Sequence, residues 1–225
     1  MQITDRDNEI LKHVARYKLT TPDALRRLFF ADAKPGGEKN VLRRLVGEYL
    51  QTQPLFGKRV YYQLTSLAAK TLGESDESAT PFGPQALVRL FGVMGFCCLG
   101  KTIIQVFTRG EFIKAFPTFA ESLDLGQTHF YLDYDGRTTR LGQILVEQGG
   151  EYQRIINKCR KIVERGREIT GFQEIIADEL FVIAIILAED SKREILYTQI
   201  QKNPLPIWCR VEVLSELGKL FPHMA

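Results

Sequence analysis

Residues 36–64 read GGEKNVLRRLVGEYLQTQPLFGKRVYYQL. Gly36 and Gly37 interrupt whatever precedes them, and Leu42, Leu45, Val46 and Tyr49 then recur at helical spacing, which predicts a helix over 38–50 with that stripe turned inward. The opposite face offers Lys39, Asn40, Arg43 and Arg44. A lysine amine suits a phosphate, an arginine fork matches the O6/N7 edge of guanine, and an asparagine amide matches the N6/N7 edge of adenine. Residues 54–56 and 60–64 follow as two short strands around Gly57-Lys58-Arg59, a glycine-containing hairpin with basic residues at its tip.

Working outward from this stretch, Thr4 is placed to cap a first helix. Asp5 and Asp7 sit in its favourable first turn, Ile10, Leu11 and Val14 lie on its apolar face, and it ends near Tyr17. Thr21 and Pro22 supply the N-cap and first position of a second helix through Ala24, Leu25 and Leu28 to about Phe30. On the far side of the hairpin, Thr65 caps Ser66 to Leu72, and Gly73 stops that helix. Helix, helix, helix, hairpin is the order of a winged helix-turn-helix, so residues 1–73 are expected to form a DNA-binding domain of that class. The expected contacts to double-stranded DNA are Thr21, Lys39, Asn40, Arg43, Arg44, Lys58 and Arg59. Charge agrees: the chain carries +3 overall, but residues 1–73 hold 13 Lys/Arg against 7 Asp/Glu, while residues 74–225 hold 17 against 20. The bland alternative is a winged helix that contacts only other proteins.

At 225 residues, 44% hydrophobic and 25% charged, the chain has the composition of a packed globular protein with room for two modest domains. Residues 1–10, MQITDRDNEI, lack a basic region followed by an apolar stretch and a small-residue cleavage site, which predicts a cytoplasmic location. The uncharged run Leu90–Gly100 falls short of the roughly 18 residues of a membrane span. Cys97, Cys98, Cys159 and Cys209 form no CxxC pair and lie far in sequence from His13, His129 and His223, so free buried thiols are expected and neither zinc nor any other cofactor is called for.

Residues 74–84 are polar and contain Pro81, the composition of an interdomain linker. Residues 85–225 then read as an α/β domain. Its expected elements are a buried helix at Ala86–Cys98, a strand at 102–107, a short helix around Phe112, Ala115 and Phe116, and a strand at 119–123. A strand at 129–133 follows, then a long helix within 140–165 carrying Ile144, Ile155, Ile156 and Val163. The run Phe181–Ala188 is continuously apolar, as a central strand covered on both faces would be. A helix capped by Asp190 or Ser191 through Gln201 and an edge strand at 207–211 complete the domain. Helix, three strands, helix, strand matches the core of restriction-endonuclease-like folds.

The segments Ile3-Thr4-Asp5-Arg6-Asp7 with Ile10-Leu11, Val41-Leu42-Arg43-Arg44-Leu45 and Tyr62-Gln63-Leu64-Thr65 resemble the start, recognition helix and wing exit of the replication-relaxation family, proteins of plasmids and mobile elements. In the second half, Phe130-Tyr131-Leu132-Asp133-Tyr134-Asp135-Gly136-Arg137-Thr138 is similar to that family's strand ending in alternating acids, and the likeness continues through Phe181–Ala188, Ser191 and Arg193. The resemblance implies a non-enzymatic DNA-binding protein acting in replication control, mobilisation or transcription regulation. Its partners would be a second copy of the chain or a relaxase or replication protein. Asp133 and Asp135, two apart on a strand, could place two carboxylates at a divalent metal, the constellation of a nuclease. Restriction-like nucleases, however, follow an earlier acid with acid-x-lysine. Here Asp135 fills the lysine position, Pro117 is followed by Thr118, and Lys158 would have to stand in. Acids that end a strand and cap the next turn are the preferred reading.

Overall fold

The computed structural model describes residues 3–34, 36–75 and 79–224. The chain is mixed α/β and divides into two compact units, one within Met1–Ile103 and one at Ile104–Phe221. Among the described residues no helix is long and apolar enough to cross a membrane.

In the first unit, α1 (Asp5–Tyr17) opens on a capping box. The Thr4 hydroxyl accepts the Asp7 N–H, and the Asp7 carboxylate accepts the Thr4 N–H at 2.9 Å. Helix α2 (Pro22–Phe29) is capped by Thr21, with Pro22 at its first position. Helix α3 (Gly37–Leu45) is shorter than its apolar stripe suggested. Val46 is extended and Gly47 has φ +99°, a conformation a side chain would strain, so the chain turns there and Tyr49 lies outside the helix. Strands β1 (Leu50–Phe56) and β2 (Arg59–Leu64) pair antiparallel about Gly57-Lys58, and α4 (Ser66–Thr71) follows the Thr65 cap. Thr20, between α1 and α2, bridges Tyr62 through two backbone hydrogen bonds of 2.9 and 2.8 Å, which adds a third partner to the hairpin. Ile10, Leu25, Leu42, Leu45, Leu50 and Leu64 make the core.

Helix α5 (Pro84–Leu99) forms as expected but belongs to this unit, not to the second. It packs on α1 and α2. Arg27 of α2 donates to the Leu99 carbonyl at 2.8 Å, satisfying an acceptor that the helix end leaves open, and the Phe91 ring meets Phe56 of β1 edge-on. The division therefore falls after Ile103, beyond the 74–84 segment read as a linker, of which residues 76–78 lie outside the described residues. A polar, proline-bearing stretch is as good a surface loop within a unit as a tether between units.

The second unit is a four-stranded sheet in the order β3 (His129–Tyr134), β4 (Thr139–Val146), β5 (Phe181–Leu187), β6 (Trp208–Val213). Strands β3 and β4 form an antiparallel hairpin, whereas β4, β5 and β6 run parallel. Helices α7 (Tyr152–Arg167) and α9 (Asp190–Lys202) make the two parallel connections, with the short α8 (Phe172–Ala177) before β5; α6 (Arg109–Ala115) precedes the sheet. Every residue of β5 is buried, as its continuous apolar run predicts. Phe130, Leu141, Ile183, Ile185 and Val211 of the sheet share one core with Ile155, Ile156, Cys159 and Val163 of α7 and Leu196 of α9. A Cβ on Gly166 of α7 would lie 2.6 Å from the Phe172 ring, so the missing side chain is what lets α8 fold back on α7.

Several expected elements differ. Residues 140–146, read as the start of a long helix, are β4. Leu141, Ile144 and Leu145 recur at helical spacing, and the pairing with β3 and β5 decides for a strand. Residues 102–107 contribute one bridge, Val106 to Tyr131, and 119–123 hold a 3-10 turn at Ala120–Ser122. Two strands, not three, therefore precede the first long helix of the sheet.

Candidate nucleic-acid interface

The candidate residues of the first unit separate by what their side chains already do. Lys39, Asn40 and Arg43, at i, i+1 and i+4 of α3, are exposed, and no described residue forms an ion pair with either cation. They occupy the face opposite the buried Leu42 and Leu45. Lys58 is exposed at the hairpin turn, also without an ion pair among the described residues.

The other three are committed elsewhere. Arg44, expected on the outward face, turns sideways to the Asp7 carboxylate, which is fully buried. Burial alone would raise the Asp7 pKa. Hydrogen bonds from the Thr4 backbone, Arg44 and the Thr4 hydroxyl outweigh it and hold the carboxyl below its ordinary value. Arg44 is thus a tie between α3 and α1. Thr21 is 5% exposed and its hydroxyl accepts the Ala24 N–H, which makes it a buried helix cap. Arg59 lies 3.4 Å from Asp23 and over the Phe56 ring, an exposed pair worth little energy but enough to orient the guanidinium beside α2.

Arg26 and Lys34 are exposed cations on and after α2 that the sequence reading passed over. Arg26 interrupts no apolar pattern, and Lys34 sits in an irregular connection, so only the folded chain shows that both stay exposed.

Beneath this surface His13 is 8% exposed, with Nε2 2.9 Å from the Thr20 hydroxyl and the Tyr17 and Phe29 rings against it. Burial, helped by the charge of Arg16, holds its pKa down to about 4, so the ring is neutral at pH 7. Through Thr20 it braces the segment that bridges to β2.

The acidic pair of the second unit is arranged otherwise than a metal site requires. Asp133 accepts from Arg210 of β6 at 2.9 Å. Asp135 closes the β3–β4 turn by accepting the N–H groups of Thr138 and Arg137, each at 2.9 Å, and it also pairs with Arg140. Those hydrogen bonds hold its carboxyl well below the usual range. Lys158 hydrogen-bonds Gln148 at 3.5 Å. Among the described residues no three His, Cys, Asp or Glu side chains converge as metal ligands. Cys97, Cys98 and Cys159 are buried, Cys209 is half-buried, and all four are free thiols; burial pushes Cys98 up to about 12 and Cys209 up to about 11, far from reactive thiolates.

Comparison of the chain with protein-family models, with curated proteins and with solved structures returns no match. The functional reading therefore stands on the geometry above.

Proposed function

We propose that the chain binds duplex DNA without catalysing a reaction, and that residues of its first unit do so as a winged helix-turn-helix. The observation that carries this reading is the uncommitted face of α3: Lys39, Asn40 and Arg43 exposed on one side, with hydrogen-bonding groups suited to phosphates and base edges and no side-chain partner among the described residues. The antiparallel hairpin with Lys58 at its turn supports it, as does the bridge from Thr20 to Tyr62, because a winged helix sets the strand between its first two helices beside the wing. Helix α3 is the recognition element in this reading and Lys58 a phosphate contact at the wing. The resemblance to replication-relaxation proteins adds a context, control of replication, mobilisation or transcription on a mobile element.

The test is binding of the full chain to duplex DNA across a series of salt concentrations. Each phosphate neutralised by a lysine or arginine adds about 0.9 to the slope of log affinity against log salt, so strong binding at low salt that falls steeply is expected. A chain that shows no association with duplex DNA even at low salt overturns the proposal. Metal-independent retention of binding is expected as well.

A further inference from the structure

Helix α7 carries six basic residues, Arg154, Lys158, Arg160, Lys161, Arg165 and Arg167, against one acid, Glu164; the rest of Ile104–Phe221 holds nine basic and sixteen acidic residues. None of the six forms an ion pair with a described residue. Elsewhere the same unit pairs its helical charges: Arg193 with Asp190 and Lys192 with Glu189 on α9, each three residues apart. On α7, Lys158 has Arg154 four residues before it and Lys161 three after, while Glu164 and Glu168, three residues after Lys161 and Arg165, form no ion pair among the described residues. Arg154, Lys158, Lys161 and Arg165 stand at i, i+4, i+7 and i+11, one stripe about 16 Å long at 1.5 Å per residue. Like charges four apart destabilise a helix, so the arrangement disfavours the isolated fold and favours an anion.

The stripe lies on the side of α7 away from Ile155, Ile156, Cys159 and Val163, which are buried against the sheet. Its first three members line an open hollow of about 600 Å³ together with Gly150 and Glu151 of the preceding turn and the amides of Gln153 and Asn157, which hydrogen-bond each other at 3.1 Å. Lys158 is half-buried there, and burial with the neighbouring charge of Arg154 lowers its pKa, the sign of a cation short of counter-charge. Four cations in a row, none ion-paired among the described residues, fit a repeating anion better than a single one.

We propose that the Arg154, Lys158, Lys161 and Arg165 stripe is a second contact surface for the phosphate backbone of DNA, with the Gln153 and Asn157 amides as additional donors. This rests on the duplex-binding reading of the chain and extends it to the second unit. It makes the second unit a phosphate-contacting one that reads no sequence, in contrast to α3.

The experiment uses the full chain and one duplex, with affinity followed against salt concentration for the parent, for Arg154→Gln with Lys158→Gln and Lys161→Gln, and for the more conservative double Arg154→Gln with Lys161→Gln, which spares the half-buried lysine. Loss of the three contacts should flatten the slope by about 2.7, and of the two by about 1.8. Replacing Arg154 by Lys and Lys161 by Arg should leave it within about half a unit of the parent, since these exchanges keep the charge that releases counterions. A parent that binds with both neutralised variants keeping its slope and affinity overturns the α7 assignment and leaves the α3 reading standing. A parent that binds no duplex at any salt overturns both.

Discussion

The α3 face of the first unit and the β3–β4 hairpin of the second handle their charges in opposite ways. Around α3, Asp7 is fully buried and Glu38 nearly so, while Lys39, Arg43 and Lys58 are exposed and form no ion pair among the described residues. On the sheet of the second unit and at its β3–β4 turn, acids and bases answer each other, Asp133 with Arg210 and Asp135 with Arg140. A charged side chain is available to a ligand only if the fold has not already used it. By that measure the first unit presents a surface and the β3–β4 hairpin presents a closed network.

The largest expected effect tests where the first unit ends. Helix α5 covers α1, α2 and the hairpin, so a fragment ending at Gly73 loses Phe91 from Phe56 and the Arg27 partner at Leu99. Burying one such aromatic side chain is worth about 1.5–3 kcal/mol, and a whole domain has only about 5–15 kcal/mol to lose. Residues 1–103 should melt cooperatively by circular dichroism, whereas residues 1–73 should show a weak or absent transition. Equal melting temperatures for the two fragments would return α5 to the second unit.

Two adjacent arginines sharpen the comparison further. Arg44→Ala strands the buried Asp7 carboxylate and should destabilise the first unit by about 3 kcal/mol, in the range for breaking a buried pair, with no selective loss of base discrimination. Arg43→Ala should leave stability within about 0.5 kcal/mol and instead weaken specific DNA by about 1–3 kcal/mol relative to random DNA. Lys58→Ala should weaken both DNAs alike. Denaturant melts with competition binding decide it: reversed phenotypes for Arg43 and Arg44 would mean the α3 face has been assigned the wrong way round.

Local signals made the first unit legible. Thr4, Thr21 and Thr65 each cap the helix their position predicted, and Gly57 marks the hairpin turn. What local pattern could not show was tertiary commitment. Arg43 and Arg44 are the same residue type one position apart, and only the proximity of Asp7, 37 residues earlier, separates them. Gly47 signals that α3 stops early, although the apolar stripe continues at helical spacing to Tyr49. In the second unit the apolar run of β5 identified itself, but β4 did not, because strand identity there is set by neighbours on both sides. The α7 stripe follows helical spacing in the sequence, but its exposure is set by the packing of Ile155, Ile156, Cys159 and Val163 on the sheet, which local pattern does not show.

Acid should also act unequally. The neutral His13 ring has its pKa held at about 4 in the folded unit against an ordinary 6.5. Between those values the unfolded chain binds the extra proton, so this contribution is complete above pH 6.5 and is lost as pH falls towards 4, by up to about 3 kcal/mol. His13→Gln should lower stability at pH 7 yet flatten its dependence between pH 6.5 and 4. Trp208, the chain's one tryptophan, sits in the second unit and reports that unit's unfolding separately by fluorescence. An unchanged pH slope in the His13 variant would exclude this residue as the source.

The smallest expected effect concerns the acids themselves. Asp135 is engaged by two backbone N–H groups and Arg140, and Asp133 by Arg210, so neither carboxylate is left with the open, shared geometry that a divalent ion needs. Substituting either should therefore alter the hairpin and not a reaction. Asp135→Asn keeps an oxygen for the Arg137 and Thr138 N–H groups and should lower the melting temperature only slightly; Asp135→Ala removes both acceptor contacts and should lower it more. DNA affinity should hold in Asp133→Asn and Asp135→Asn, with or without magnesium. Incubating parent and variants with supercoiled, linear and single-stranded DNA in magnesium or manganese completes the comparison. Cleavage by the parent that both substitutions abolish would make the pair a reactive centre and undo the contrast between the α3 face and the β3–β4 hairpin. Intact DNA throughout, with the graded loss of stability from Asn to Ala at 135, is what a turn-closing carboxylate produces and a metal ligand does not.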